Sequence, residues 1–228
     1  MLSVNGKNIS AISSIKTNDA DMDTVLTNDT VVWREYNGAP SPLIVTADTT
    51  IIAGVDFPAD SDVKLCMCGA GGSGAAENDD WINTGGGHRG EITQVVINYP
   101  QGTPIVIDIG AGGGSVNDDV AGIVGGQTTF DVHVALGGAG GLRHTADYAT
   151  SGETFTSPCD GLVYSDGGTD GYAGWGGQAG AFGNGGRSVN DNPAGAGGIG
   201  AGGGGATWSQ GGGEPSGAGG RGQVMISW

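Results

Sequence analysis

Gly69, Gly71 and Gly74 follow an apolar stretch with the spacing G-x-G-x-x-G, and Glu91 lies about 20 residues further on. A dinucleotide site uses that arrangement to cradle a pyrophosphate and hold a ribose. The same spacing recurs at Gly195/Gly197/Gly200 and at Gly217/Gly219/Gly222, and no helical pattern follows any of the three. A phosphate would therefore find no helix N-terminus to sit on. Asp19, Asp21 and Asp23 begin like a calcium loop. Thr24 then occupies the sixth position, where the turn needs Gly, and Thr30 the twelfth, where the metal needs Glu. The pairs Asp79/Asp80 and Asp118/Asp119 read as solvated loop carboxylates rather than a hydrolytic pair. His88, His133 and His144 stand in three unrelated contexts, and G-x-S-x-G, P-loop and paired-His zinc spacings are all missing. The expectation is a non-enzymatic protein with no catalytic residue, metal or cofactor. Cys66, Cys68 and Cys159 are an odd set without a framework, and they are read as buried thiols rather than a disulfide.

The elements that must carry these residues are unusual. Of 50 glycines, only Gly6, Gly38 and Gly54 precede residue 69. The rest form blocks such as 69-GAGGSG-74, 85-GGGHRG-90, 110-GAGGG-114, 137-GGAGG-141, 195-GAGGIGAGGGG-205 and 217-GAGGRG-222. From Gly167 to Gly222 the large apolar or aromatic residues are Tyr172, Trp175, Phe182, Val189, Ile199 and Trp208, too few to close an ordinary core. Order there has to come from the backbone. An extended glycine segment can take the polyproline-II conformation, with three residues per turn and no internal hydrogen bonds. Without Cβ atoms, neighbouring segments can approach and bond to one another. Each glycine costs roughly 0.5–1 kcal/mol more than alanine to order, offset by bonds of about 1 kcal/mol net each.

Between the blocks the pattern is β. Residues 1–40 read as short strands with Asn5-Gly6 and Asn37-Gly38 turns, and 43–68 as two or three strands. Further β regions cover 91–110, 127–136 and 223–228. In 127–136, Phe130, Val132, Val134 and Leu136 alternate with Asp131, His133 and Ala135, which predicts one half-buried strand. No window has a 3.6-residue period. The expected fold is all-β and irregular: a small N-terminal strand domain, then a polyglycine-II sandwich with flanking strands and essentially no α-helix.

Reading each glycine block as one pass leaves five loops at one end, over 75–84, 115–121, 142–173, 187–194 and 206–210. Their aromatic, Asn and Asp content resembles that of a paratope, where Tyr and Trp give contact area at low entropic cost. The candidate binding residues are Asp79, Asp80, Trp81, Ile82 and Asn83; Asn117 and Asp118; Tyr148, Phe155, Tyr164 and Tyr172; Asn190, Asp191 and Asn192; and Trp208. The net charge of −16, with four Lys/Arg against fifteen Asp/Glu in 69–228, leaves no electrostatic footprint for nucleic acid. No apolar run is long enough to insert in a membrane, and no signal peptide opens the chain.

Motifs such as 69-GAGGSG-74, 85-GGGHRG-90 and 217-GAGGRG-222, with 31-VVWREYNGAP-40 before them and 224-VMISW-228 after, resemble the long-tail-fibre tip adhesins of T-even-like bacteriophages. The likeness lies in the order of the motifs along the whole chain. It implies a virion protein made in the host cytoplasm, one copy per fibre tip. It also implies an N-terminal domain over 1–60, including Trp33 and Tyr36, docked on the trimeric distal fibre subunit, and a receptor-binding domain over 61–228. The implied receptor is a bacterial outer-membrane protein, with lipopolysaccharide sugars as the alternative.

Overall fold

The computed structural model describes five short strands within 1–40 by their backbone, and then residues 41–77, 84–143, 154–165, 168–170, 173–176, 178–179, 182–186, 189–190, 193–207 and 214–228. These residues form strands, turns and extended passes, with no α-helix among them, as the composition predicts. In the N-terminal segment Ser14–Asn18, Asp21–Thr27 and Thr30–Arg34 make an antiparallel meander, and Ser3–Val4 pairs with Lys7–Asn8.

The apolar core lies between two four-stranded sheets. One has the order Ile92–Ile97, Val63–Cys68, Gln223–Ser227, Leu43–Val45; the other His133–Ala135, Thr128–Phe130, Pro104–Asp108, Thr49–Ile52. Alternate residues point inward, so Leu65, Met67, Ile105, Ile107, Phe130, Val224 and Ile226 meet Phe57 in a buried cluster. Leu43–Val45 and Thr49–Ile52 belong to these sheets. The expected boundary at residue 60 thus falls inside the sandwich.

Six of these strands continue directly into glycine passes. Val63–Cys68 runs into 69–76, and 85–91 and 214–222 feed its two neighbours in the sheet. In the second sheet the same holds for 110–116, 120–126 and 136–142. The hydrogen bonds then change period from two to three. Gly69, Gly72 and Ala75 donate to the carbonyls of Glu91, His88 and Gly85, at 2.9, 2.9 and 3.0 Å. Ala70, Ser73 and Ala76 donate to Gly126, Ile123 and Val120, while Gly71 and Gly74 donate to Gly220 and Gly217. One pass therefore donates to three antiparallel neighbours in strict rotation. It accepts from three more, through Gly138 and Gly141, Gly113, and Gly203 and Ala206. Three residues per turn point successive N–H groups about 120° apart, which is the polyglycine-II lattice. A third layer, 183–186 with 194–206, lies over the first and bonds to it through Gly203–Gly72 and Gly87–Gly203.

Glycine is needed here for approach. A Cβ on Gly71 would lie 1.9 Å from the carbonyl oxygen of Ala201, and one on Gly112 equally close to that of Gly219. The same packing rejects the dinucleotide reading, because the faces of Gly69, Gly71 and Gly74 are filled by Leu136, Ala201 and Gly204 backbone. Glu91 accepts a hydrogen bond from Leu136 N–H at 3.0 Å, so it holds a strand end rather than a ribose.

Two expectations need correction. Residues 127–136 are not one strand: Thr128–Phe130 and His133–Ala135 are a hairpin, with Phe130 opposite His133. Asp131 sits at φ 51°, a left-handed conformation that Asp tolerates, and the two-residue turn inverts the alternation. Phe130 and Ala135 are therefore buried, while Val132, Val134 and Leu136 are exposed. The cysteines are not all thiols either. Cys66 is bonded to Cys159, with Cα atoms 5.9 Å apart, and Cys68 alone is free and buried. Cys66 and Cys68 share the outer face of their strand, away from the apolar core. A segment 93 residues later folds over that face.

Gly112→Val is expected to cost roughly 3 kcal/mol or more, because its clash is with backbone that cannot swing aside. Gly114, two residues on, has only Ile123 Cδ1 within reach, at 4.0 Å. Gly114→Ala should stay within about 0.5 kcal/mol of the parent. Urea midpoints of the two variants check this; equal losses would show that close approach does not hold the passes.

Candidate functional site

Eight residues at ~3.1 Å rise carry the 69–76 pass about 25 Å away from the sandwich, and at that far end the loops begin. Ala76 and Val120 exchange N–H···O bonds of 3.0 and 3.1 Å, and Thr84 bridges to Arg143. Beside them Val189–Asn190, Ala206–Thr207 and Ala76–Glu77 pair as a parallel ladder, with Asn190 opposite Thr207 and Thr207 opposite Glu77. Each of these strands leads straight into a loop. The ladder thus gathers the first, fourth and fifth loops, and the bridges add the second and third.

Glu77 is the hub. Its buried carboxylate accepts from Arg143, Nε at 2.9 Å and Nη2 at 2.8 Å. Arg143 Nη1 also donates to the carbonyl of Asp119, and Nη2 lies 3.7 Å from Asp119 Oδ1. One guanidinium fork therefore ties three loop bases together, a geometry that Lys could not reproduce. Burial pushes the Glu77 carboxyl above its ordinary pKa, and the Asp119 carboxylate adds to this while Arg143 opposes it. Asp118 and Asp119, at φ 52° and 58°, turn the second loop over this fork.

Of the residues singled out in the sequence, Asn117 and Asp118 are exposed at this end, beyond the buried Val116. Asn190 lies on the ladder. Asp79, Asp80, Trp81, Ile82, Asn83, Tyr148, Tyr172, Asp191, Asn192, Trp208 and Tyr36 lie outside the described residues, and Trp33 is on the backbone strand Thr30–Arg34. Phe155 and Tyr164 are elsewhere. They face each other across the hairpin Thr154–Thr156/Val163–Ser165, ring centroids 5.9 Å apart, with the Arg89 guanidinium 3.6 Å from the Phe155 ring. Cys159 at the hairpin's turn is bonded to Cys66 on the sandwich. The middle of segment 142–173 therefore returns to the base of the lattice. Its aromatic pair is separated from the loop end by most of a pass. Glu77 and Arg143 carried no motif, and Asp119, read with Asp118 as a solvated loop carboxylate, is instead tied to Arg143. The signal of Arg143 was scarcity, since residues 69–228 hold four arginines against fifteen carboxylates.

A family model described as a glycine-rich domain matches residues 46–161, about half of the chain. The match runs from the sandwich through two lattice layers to the aromatic hairpin. No curated protein matches the sequence.

Arg143→Met leaves Glu77 buried without its cation and is expected to cost about 2 kcal/mol at pH 7. A raised carboxyl pKa means that the folded state holds its proton more tightly than the unfolded chain. That contribution to stability is present below the unfolded value, near 4.3, and is lost as pH rises through the folded one. The Arg143→Met penalty should therefore shrink at pH 4, where Glu77 is protonated. Urea midpoints of both proteins at pH 7 and pH 4 decide it; a penalty that is the same at both would rule out Glu77 as the uncompensated charge.

Proposed function

This chain belongs to the glycine-rich domain family, and on that premise we propose that it is a non-enzymatic adhesin at the tip of a bacteriophage long tail fibre. The observation that carries the reading is the gathering of five loop bases at one end of a rigid lattice, by the Asn190–Thr207–Glu77 ladder and the Arg143 fork. A binding surface assembled from loops needs that convergence. The resemblance of the whole sequence to the T-even-like tip adhesins supports the same reading, as do the aromatic and Asn/Asp side chains of the loops. The receptor in this reading is a bacterial outer-membrane protein. Contact falls on Asp79–Asn83, Asn117, Asp118, Asn190–Asn192 and Trp208, with Tyr148 and Tyr172 from the third loop. Residues 1–40, with Trp33 and Tyr36, dock on the trimeric distal fibre subunit, one copy per tip.

The test is adsorption of phage or purified protein to host strains lacking single outer-membrane proteins, or carrying truncated lipopolysaccharide. Loss of adsorption in one protein-deficient strain is the expected result. Adsorption that survives loss of every major outer-membrane protein, but falls with truncation of lipopolysaccharide, would replace this reading with a sugar-binding one. Trp81→Ala should weaken adsorption about thirtyfold, the ~2 kcal/mol of an interface hot spot, with little change in the melting temperature.

A further inference from the structure

We infer that the Cys66–Cys159 disulfide is a redox clasp, which docks the aromatic hairpin 154–165 on the base of the lattice when formed and releases it when reduced.

The hairpin is too small to hold its own position. Its strands, Thr154–Thr156 and Val163–Ser165, are three residues each, and an isolated two-stranded hairpin is marginal in water. Leu162 and Val163 are exposed, 59% and 66%, so little of its apolar surface is spent on docking. Beside the disulfide, contacts that tie it to the lattice base among the described residues include the Lys64 Nζ bond to the Cys159 carbonyl, at 2.9 Å, and the Arg89 guanidinium over Phe155. The turn itself is preformed by local bonds. Cys159 N–H donates to Ser157 Oγ, Leu162 N–H to Asp160 Oδ1, and Tyr164 OH to Asp160 Oδ2. Cys159 is thus presented at a turn shaped by its own local bonds, while the strands on either side rely on docking.

The partner is set by the surface it lands on. Lys64, Cys66 and Cys68 share the outer face of their strand. Over Cys68 the third lattice layer is already in place: a Cβ on Gly200 would lie 2.7 Å from Cys68 Sγ and 3.1 Å from Ala179 Cβ. Next to it on the same face, the hairpin covers Cys66 through Cys159. Burial also holds the Cys68 thiol up at about 12, so it makes no thiolate to attack the neighbouring bond near neutral pH. Cys66–Cys159 is for that reason protected from exchange with the third cysteine.

The oxidant is a low-molecular-weight disulfide of the glutathione type. The Cys159 thiolate of an undocked hairpin attacks it, forming a mixed disulfide and expelling one thiolate. Cys66 then loses its proton and displaces the second thiol, forming Sγ–Sγ. Two protein thiols are oxidised, and one disulfide is reduced to two thiols. In a reducing compartment the reverse holds, and the hairpin is free.

The experiment uses the full chain, equilibrated with reduced or oxidised glutathione. Thiols are counted by alkylation in denaturant, and the folded protein is treated with chymotrypsin, which cuts after Phe155, Leu162 and Tyr164. Oxidised protein is expected to show one thiol and resist cutting. Reduced protein should show three thiols and be cut at least tenfold faster within 154–165, while its thermal midpoint, lowered by loss of the cross-link, stays well above the assay temperature. Cys159→Ser should behave as the reduced form in both buffers, and Cys68→Ala should still switch. Three thiols in oxidised protein, equal cutting in both states, or a reduced chain that unfolds as a whole would each overturn the clasp. Because cutting is read without any receptor, its failure is distinguishable from failure of the adhesin reading.

Discussion

The N–H···O bond between glycine passes is the interaction on which everything else depends, and it exists only because a Cβ is missing. At Gly71, Gly112, Gly176 and Gly203 that atom would lie 1.9 Å from a carbonyl oxygen, well inside any contact distance. Removing side chains lets three donors per turn reach three different neighbours, and three acceptors receive three more. No apolar core forms in the lattice, because the space where one would lie is occupied by backbone. Alanine and serine mark the places where the lattice leaves room. Ser73 uses that room to accept a second bond from Ile123, 2.8 Å from its N–H.

Such a lattice has little to say about its own register, since one glycine bond is much like another. The register comes from the ends. At one end six lattice passes are continuations of strands whose inward side chains, among them Leu65, Ile107 and Val224, interlock in the sandwich. A one-residue slip would expel that whole set from the core. At the other end the short ladder through Ala76 and Ala206, with the Glu77–Arg143 pair, fixes the passes against one another. Beyond Glu77, Asp119, Val120, Arg143 and the ladder residues Asn190 and Thr207, neither end draws on loop side chains among the described residues. Most of the loop sequence is thereby uncoupled from lattice stability.

How much of this was legible in the sequence follows from the range of each signal. The glycine blocks announced close backbone approach because nothing else explains them, and the passes at 69–74, 85–90, 110–114 and 137–141 could be traced from spacing. The 128–135 hairpin was misread because Asp131 resembles any polar residue in an alternating strand. Its positive φ, which reverses the alternation, is a property of the turn and not of the pattern. Cys66 and Cys159 failed differently. Their pairing depends on a segment that has Arg143 at the loop end and the hairpin 154–165 at the base, over the outer face of a sheet. Residues 142–173 read as one long loop because no local feature marks that excursion. Arg143 was invisible for the same reason, since its partners lie 66 and 24 residues away.

The balance of terms explains why the lattice is confined to short passes between anchors. Ordering one backbone residue costs about 1–2 kcal/mol, and its lattice bond returns about 1 kcal/mol net. A glycine in isolation is therefore close to break-even or slightly unfavourable, and dispersion between touching backbones has to supply the remainder. A long free-standing array would have no margin, whereas a pass of six to eight residues needs only the surplus from a packed sheet at one end and a ladder with an ion pair at the other. Each added loop costs little, since closure entropy grows only as the logarithm of its length. Exposed residues such as Asn117 and Asp118 can then vary at the tips while the bonds from Gly69 to Ala76 stay as they are.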